Sequence, residues 1–386
     1  MSQMSRCLSV WNRGAWEYDA TLPPPYEQQD AAAAKQNPQS QKIKSNRMCD
    51  PELQQSWRWQ WRSLNADCPF ERPGRELLCQ RLKGRRILLY GDSLTQQHFV
   101  SLASLAGNGT EMRRPSECAV VKPLECVSVC DGSSVVCHRL RFGLALDYTG
   151  SSLSSLSSCN IKPSVVAPLH ETFSPSCILG FDIVVLQEFA HWVGADGSMM
   201  LEECLREKGH GSRATSWAQK HILRLYQGQM QRNAAFLQNV ASQVDVDRRP
   251  RVLLRTAVPG YPPAGVLAPD TPHGEPPVFR SPRSNTSWAL EYSSRATSRW
   301  NHHLWSKMNI IARRAYREHA LEVMDIEMPM LQRVDGHLDE LHYCLPGPPD
   351  FHSLVLYNFV LPALPTEPRS KVGLYRRGGR HNNTSL

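Results

Sequence analysis

Four short apolar runs, RILLY (86–90), FDIVVLQ (181–187), RVLLRTAV (251–258) and ALEVMDIE (320–327), stand far apart in the chain and are rich in leucine or β-branched residues. Runs without polar alternation suit strands covered on both faces, the condition of a parallel sheet held between helical layers. Helical candidates lie between them. QQHFVSLASLAG follows the first run, SWAQKHILRLYQGQMQRNAAFLQNVASQ precedes the third, and RWNHHLWSKMNIIARRAYREH precedes the fourth. This alternation predicts an α/β class fold, a three-layer α/β/α sandwich with a mostly parallel sheet. With 386 residues, 41% of them hydrophobic, the chain can bury such a core.

Composition divides the rest. Residues 20–47, rich in Pro, Gln and Ala, read as linker or mobile loop, and order resumes near Cys49. We therefore expect a partly mobile N-terminal segment, 1–47, and one main domain, 48–386. Within the latter, RPGRELLCQRLKG carries leucines at helical spacing before a stop at Gly84, and 262–296 reads as a long surface loop. Twelve cysteines without paired CxxC motifs argue for disulfides and against structural zinc. Cys118, Cys126, Cys130, Cys137, Cys159 and Cys177 fall in a Ser-rich, turn-rich stretch without strong periodicity, where cross-links would hold the chain. An irregular cysteine-containing N-terminal lobe is expected beside the sandwich. Sequons at Asn108, Asn285, Asn382 and Asn383 agree with a secretory compartment but add little. The opening MSQMSRCLSVWNRGAWEYDA shows no apolar run of signal or membrane-spanning length, and a true N-terminus lying upstream is the preferred reading. A net charge of +8, with its basic residues scattered among 36 acids, gives no nucleic-acid footprint.

The chemistry centres on YGDSLTQQHF (90–99). Ser93 follows an apolar strand and opens a helix, the position at which open parallel sheets bind ligands. Its hydroxyl can be exposed beside helix N-terminal N–H groups able to stabilise an oxyanion. Equally, Asp92 or Ser93 can simply cap the helix. A serine nucleophile needs a base, and RVDGHLDELHYCLPGPPD (333–350) offers one: in Asp339-x-x-His342 the carboxylate can hold the imidazole while its other nitrogen faces a serine. Asp335 and His337 form a rival pair. Drawn together, Asp335, His337, Asp339 and His342 could be a mixed carboxylate and imidazole site, but the spacing matches no metal motif. Trp57, Trp59 and Trp61 can stack on sugar rings, with core packing the preferred reading.

Taken together, GDSLTQQ (91–97) and DELHYCLPGPPD (339–350) resemble the trichome birefringence-like proteins and the wider PC-esterase family of the SGNH, GDSL-type, hydrolase superfamily. GAWEYD (14–19), PPPY (23–26), WRW (57–59), Cys68, LKGRR (82–86), FDIVVLQEFAHW (181–192) and LLRTAVPG (253–260) extend the likeness over most of the chain. The resemblance implies Ser93 as nucleophile, His342 as general base and acid, and Asp339 as the group orienting it. It further implies substrate-binding or oxyanion roles for Gly91, Asp92, Gln187, His191, Trp192 and Arg255. Where the family usually has Asn-Thr-Gly before His-Trp, this chain has Glu188, Phe189 and Ala190, so by the resemblance that donor is either missing or supplied by another residue such as Gln187. The implied activity is O-acetyl transfer to polysaccharide hydroxyls through an acyl-serine, in the secretory pathway and specifically the Golgi. No cofactor or metal is expected to be bound, the acyl donor being acetyl-CoA or another activated acetyl compound. A polysaccharide or glycan acceptor is the expected partner. An O-acetylesterase using the same triad, or a non-catalytic polysaccharide-binding protein, are the alternatives.

Overall fold

The computed structural model describes residues 7, 10–26, 56–107, 110–111, 115–118, 124–140, 169–193, 198–207, 209–258, 302–333 and 341–364. Near the N-terminus β1 (Gly14–Tyr18) pairs antiparallel with β2 (Trp59–Ser63), with Trp16 opposite Trp61. The aromatic cluster SWRWQW is thus a 3-10 turn, Ser56–Arg58, leading into one arm of a two-stranded ribbon. Its tryptophans are chiefly packing residues. Trp61 lies edge-on to Trp16 at 5.3 Å and its indole N–H donates to the Trp11 carbonyl at 3.0 Å, while Trp57 is also buried. Trp11, Phe70 and Phe351 complete the cluster, so residues 10–26 share one core with the main body.

The central sheet has seven strands: β3 (Arg86–Gly91), β4 (Thr110–Glu111), β5 (Glu125–Val129), β6 (Ser134–Leu140), β7 (Ile183–Gln187), β8 (Arg251–Arg255) and β9 (Glu322–Met324), in the order β4-β5-β6-β3-β7-β8-β9. β6, β3, β7, β8 and β9 are parallel, and β5 and β4 extend that edge antiparallel. Ile87 to Tyr90 and Ile183 to Gln187 are buried without interruption, as strands covered on both faces must be. The structure departs from the sequence-based expectation in two places. The cysteine-rich stretch is not merely turns, since it supplies β5 and β6, whose Cys126 and Cys137 are direct register partners and are bonded to each other. The fourth run is strand only over three residues. It leaves the sheet where the Ile326 N–H turns to Thr256 Oγ1 at 2.9 Å.

Helix α1 (Arg75–Leu82) ends before Gly84, whose φ of 73° is the left-handed value glycine adopts without strain. α2 (Ser93–Leu105) links β3 toward β6, whereas α5 (Ala214–Ser242) links β7 to β8 on the other side. Right-handed crossovers in opposite directions put these helices on opposite faces of the sheet. α7 (Pro348–Val355) packs on α2, and α6 (Trp305–Glu318) packs on α5. A crevice therefore opens between the carboxyl ends of β3 and β7, where Gly91 and Gln187 are level.

Disulfides Cys7–Cys68, Cys79–Cys130, Cys118–Cys177 and Cys126–Cys137 brace the sheet edge and the N-terminal region. Cys204 and Cys344 are also disulfide-bonded, and no cysteine is free among the described residues. This oxidised state fits a secretory-pathway protein. No described helix is long and apolar enough to cross a membrane. Most of the 20–47 linker, the 262–296 loop, Cys159 and the four sequons lie outside the described residues.

Candidate active site

Two further α-helical segments follow β7 in the chain: α3 (Ala190–Val193), directly after it, and α4 (Met200–Glu207), which packs on α5. The turn between β3 and α2 needs a glycine at 91. A Cβ there would stand 1.9 Å from the Gln187 carbonyl oxygen and 2.5 Å from Thr95 Oγ1. Asp92 is the helix cap, its Oδ1 accepting from the Leu94 N–H at 3.0 Å. Its other oxygen faces across the crevice, within 3.3–3.4 Å of the N–H groups of Ala190 and Phe189 and of Gln187 Nε2. With capping assigned to Asp92, Ser93 is left to face elsewhere. Its Oγ lies 2.7 Å from His342 Nε2, across 249 residues of sequence.

Around this turn a buried network joins β7, β8, the Asp92 cap and two helices. Arg255, 1% exposed at the end of β8, donates from Nη1 to His352 Nδ1 at 2.9 Å and from Nη2 to Thr95 Oγ1 at 3.2 Å and to Gln187 Oε1. Thr95 Oγ1 donates to the same Gln187 oxygen at 2.8 Å. That oxygen is therefore an acceptor twice over, which turns the Gln187 amide nitrogen toward Asp92. The side chain acts as a bridge between a buried cation and a buried carboxylate. Burial lowers Arg255 to about 10, opposed by the Asp92 carboxylate, so the guanidinium stays charged at neutral pH. Because Arg255 donates to Nδ1, the His352 proton sits on Nε2. The His352 ring stands edge-on to His98 at 5.4 Å, and burial holds both imidazoles well below the ordinary histidine value, with Arg255 adding to the effect. Both are neutral bases inside the fold.

The structure brings together Gly91, Asp92, Ser93, Gln187, Arg255 and His342. Asp339, and with it Asp335 and His337, lies outside the described residues. Trp192 is a core residue, 1% exposed and edge-on to Tyr226 at 5.3 Å, and the adjacent His191 in α3 is half-buried. Gln187 and Arg255 are both buried, in the network around the nucleophile turn. Sequence reasoning passed over Thr95, Gln97 and His352. The first two stand within about one helical turn of the serine, on α2 itself. His352 follows the C-terminal motif without any local signal of its contact to Arg255.

A parallel sandwich with a Gly-Asp-Ser turn at its switch point and a C-terminal histidine loop closing on that serine is the arrangement of SGNH-like acyl-esterases and acetyltransferases. The chain belongs to the PC-Esterase family, a GDSL/SGNH-like acyl-esterase family found in Pmr5 and Cas1p, whose model matches residues 74–359. It is also 23% identical over 188 residues to xylan O-acetyltransferase 2 of Oryza sativa subsp. japonica. That stretch is 47% of this chain and 34% of the relative, so the match spans about a third of the relative's length.

Proposed function

We propose that this protein is an O-acetyltransferase acting on polysaccharide hydroxyls, with Ser93 as nucleophile, His342 as general base and acid, and Asp339 as the group that orients the imidazole. The 2.7 Å contact between Ser93 Oγ and His342 Nε2 at the sheet's switch point carries the reading. His342 takes the hydroxyl proton as Oγ attacks the acetyl carbonyl of an activated donor, acetyl-CoA or a compound of similar reactivity. The oxyanion forms beside the N-terminus of α2, whose aligned peptide dipoles favour negative charge there. Collapse breaks the bond to the leaving group, which receives the proton from His342, and acetyl-Ser93 remains. A sugar hydroxyl then gives its proton to His342 and attacks the acyl carbon, releasing the acetylated polysaccharide and restoring the serine.

The relative's name as a xylan O-acetyltransferase supports a polysaccharide acceptor, with xylan the first to test, and the Golgi is the location we propose within the secretory pathway. A second reading, O-acetylesterase, is favoured by the family's description as acyl-esterases. It needs the same residues, with water in place of the sugar hydroxyl. Intact-protein mass spectrometry after incubation with an activated acetyl donor tests the acyl-serine, through an acetyl adduct on Ser93 that Ser93→Ala loses. Acetate release compared with acetyl transfer to polysaccharides separates the two activities. Acetate released at one rate whatever polymer is present would overturn the transferase reading.

A further inference from the structure

Gln97 stands one turn after Ser93 on α2, at the i+4 spacing that puts both side chains on one face of the helix. It is 1% exposed. Its amide meets both main-chain groups of a single residue: Nε2 donates to the Tyr343 carbonyl, and Oε1 accepts from the Tyr343 N–H at 3.1 Å. Tyr343 directly follows His342. One side chain thus pairs with the histidine loop as a neighbouring strand would, within one residue of the base and one turn of the nucleophile.

From this geometry, and resting on the reading of Ser93 and His342 as nucleophile and base, we infer that Gln97 is the positioning residue that sets their separation. Ser93 and His342 come from segments 249 residues apart, and the contact between them is a single 2.7 Å hydrogen bond. Hydrogen bonding of this kind is steeply sensitive to displacement. Gln97 fixes the histidine loop to the rigid element that begins with the serine, so that helix and loop move as one body. The side chain needed is specific. Asparagine is one methylene too short, glutamate would set a carboxylate against the Tyr343 carbonyl, and methionine fills the volume with neither bond.

Ser101, one turn further along α2, supplies the comparison. Its Oγ donates to Asp350 Oδ1 at 2.7 Å, a buried bond from the same helix to a segment just beyond the histidine loop but away from the reacting pair. The test uses the full chain as wild type, Gln97→Met, Gln97→Glu, Ser101→Ala and Ser93→Ala. Each is assayed for thermal unfolding, for kcat and KM in acetyl transfer, and for the rate of labelling by a small fluorophosphonate. In that labelling Oγ forms a bond to phosphorus, fluoride leaves, and the serine proton passes to the histidine, so no acceptor or donor site enters. Gln97→Met and Gln97→Glu should lose kcat and labelling rate on the order of 10- to 100-fold, with KM little changed, because a misplacement of about 1 Å costs about that much. Ser101→Ala should unfold at lower temperature yet label at the wild-type rate. Labelling of folded Gln97→Met or Gln97→Glu at the wild-type rate would overturn the inference while leaving the site reading intact. So would a Ser101→Ala variant that loses labelling as severely as they do. Labelling of Ser93→Ala at the wild-type rate would overturn both.

Discussion

Acidification should destabilise this protein through two histidines that face no solvent. His98 and His352 are buried, and both are held well below the ordinary value, first by desolvation and then by the Arg255 charge. In the native state they stay neutral as the pH falls, while in the unfolded chain they take up protons near the ordinary value of about 6.5. The unfolded state then binds more protons, so their contribution to stability is complete above about pH 7 and declines below about 6.5. Only the unfolded-state value enters while the native imidazoles remain neutral. Each histidine therefore removes about 1.4 kcal/mol between about pH 7.5 and 5.5, and the pair about 3 kcal/mol, a large part of the typical total of about 5–15 kcal/mol. Urea unfolding followed by tryptophan fluorescence at the two pH values measures the loss. His98→Leu gives the internal comparison. Neither ring nitrogen of His98 has a hydrogen-bond partner among the described residues, so leucine removes a titrating group without breaking a bond seen there. The pH-dependent loss should shrink by about half in that variant. An equal loss in wild type and His98→Leu would refute the assignment to these histidines.

Further expectations concern the serine, the buried cation and the disulfides. Ser93→Ala and His342→Ala should each abolish acetyl-enzyme formation, and Asp339→Asn should retain the fold while losing activity on the order of 10⁴-fold; near-normal turnover in Ser93→Ala would refute the serine mechanism. Arg255→Met strips three hydrogen bonds from His352, Thr95 and Gln187 and leaves Asp92 buried without its cation, so denaturant titration should show a loss of about 3–5 kcal/mol, and a loss below about 1 kcal/mol would mean the network is not held by its charge. Thiol titration of the denatured, unreduced protein should find essentially no free groups. Removing Cys79–Cys130 by a double Cys→Ala change should lower stability by about 4 kcal/mol, as loop-closure entropy predicts for a separation of 51 residues.

The layered architecture was legible because its strongest signals are local. RILLY and FDIVVLQ have no polar alternation, and only a strand covered on both faces tolerates that in a chain of this kind. The Gly-Asp-Ser turn was legible for the same reason, since strand, glycine, cap and helix are consecutive. β5 and β6 were not, because serines, cysteines and a histidine interrupt their apolar pattern, and what makes them strands is pairing, β6 beside β3 and β5 beside β6, with the Cys126–Cys137 bond across the latter pair. The ribbon of β1 and β2 was hidden likewise, as Trp16 meets Trp61 only through a pairing of segments far apart in the chain.

At the site, residue types pointed to Ser93 and His342, but their 2.7 Å contact spans 249 residues. Only the packing of the C-terminal loop and α7 on α2 creates it. The resemblance implies ligand-facing roles for Gln187 and Arg255, whereas the tertiary structure buries both side chains, the Gln187 amide linking a buried cation to a buried carboxylate. A linear sequence records hydrogen-bonding capacity but not direction. Whether Gln97 faces solvent, substrate or the Tyr343 backbone is decided when the C-terminal segment folds back on α2, because a buried amide must find both a donor and an acceptor there.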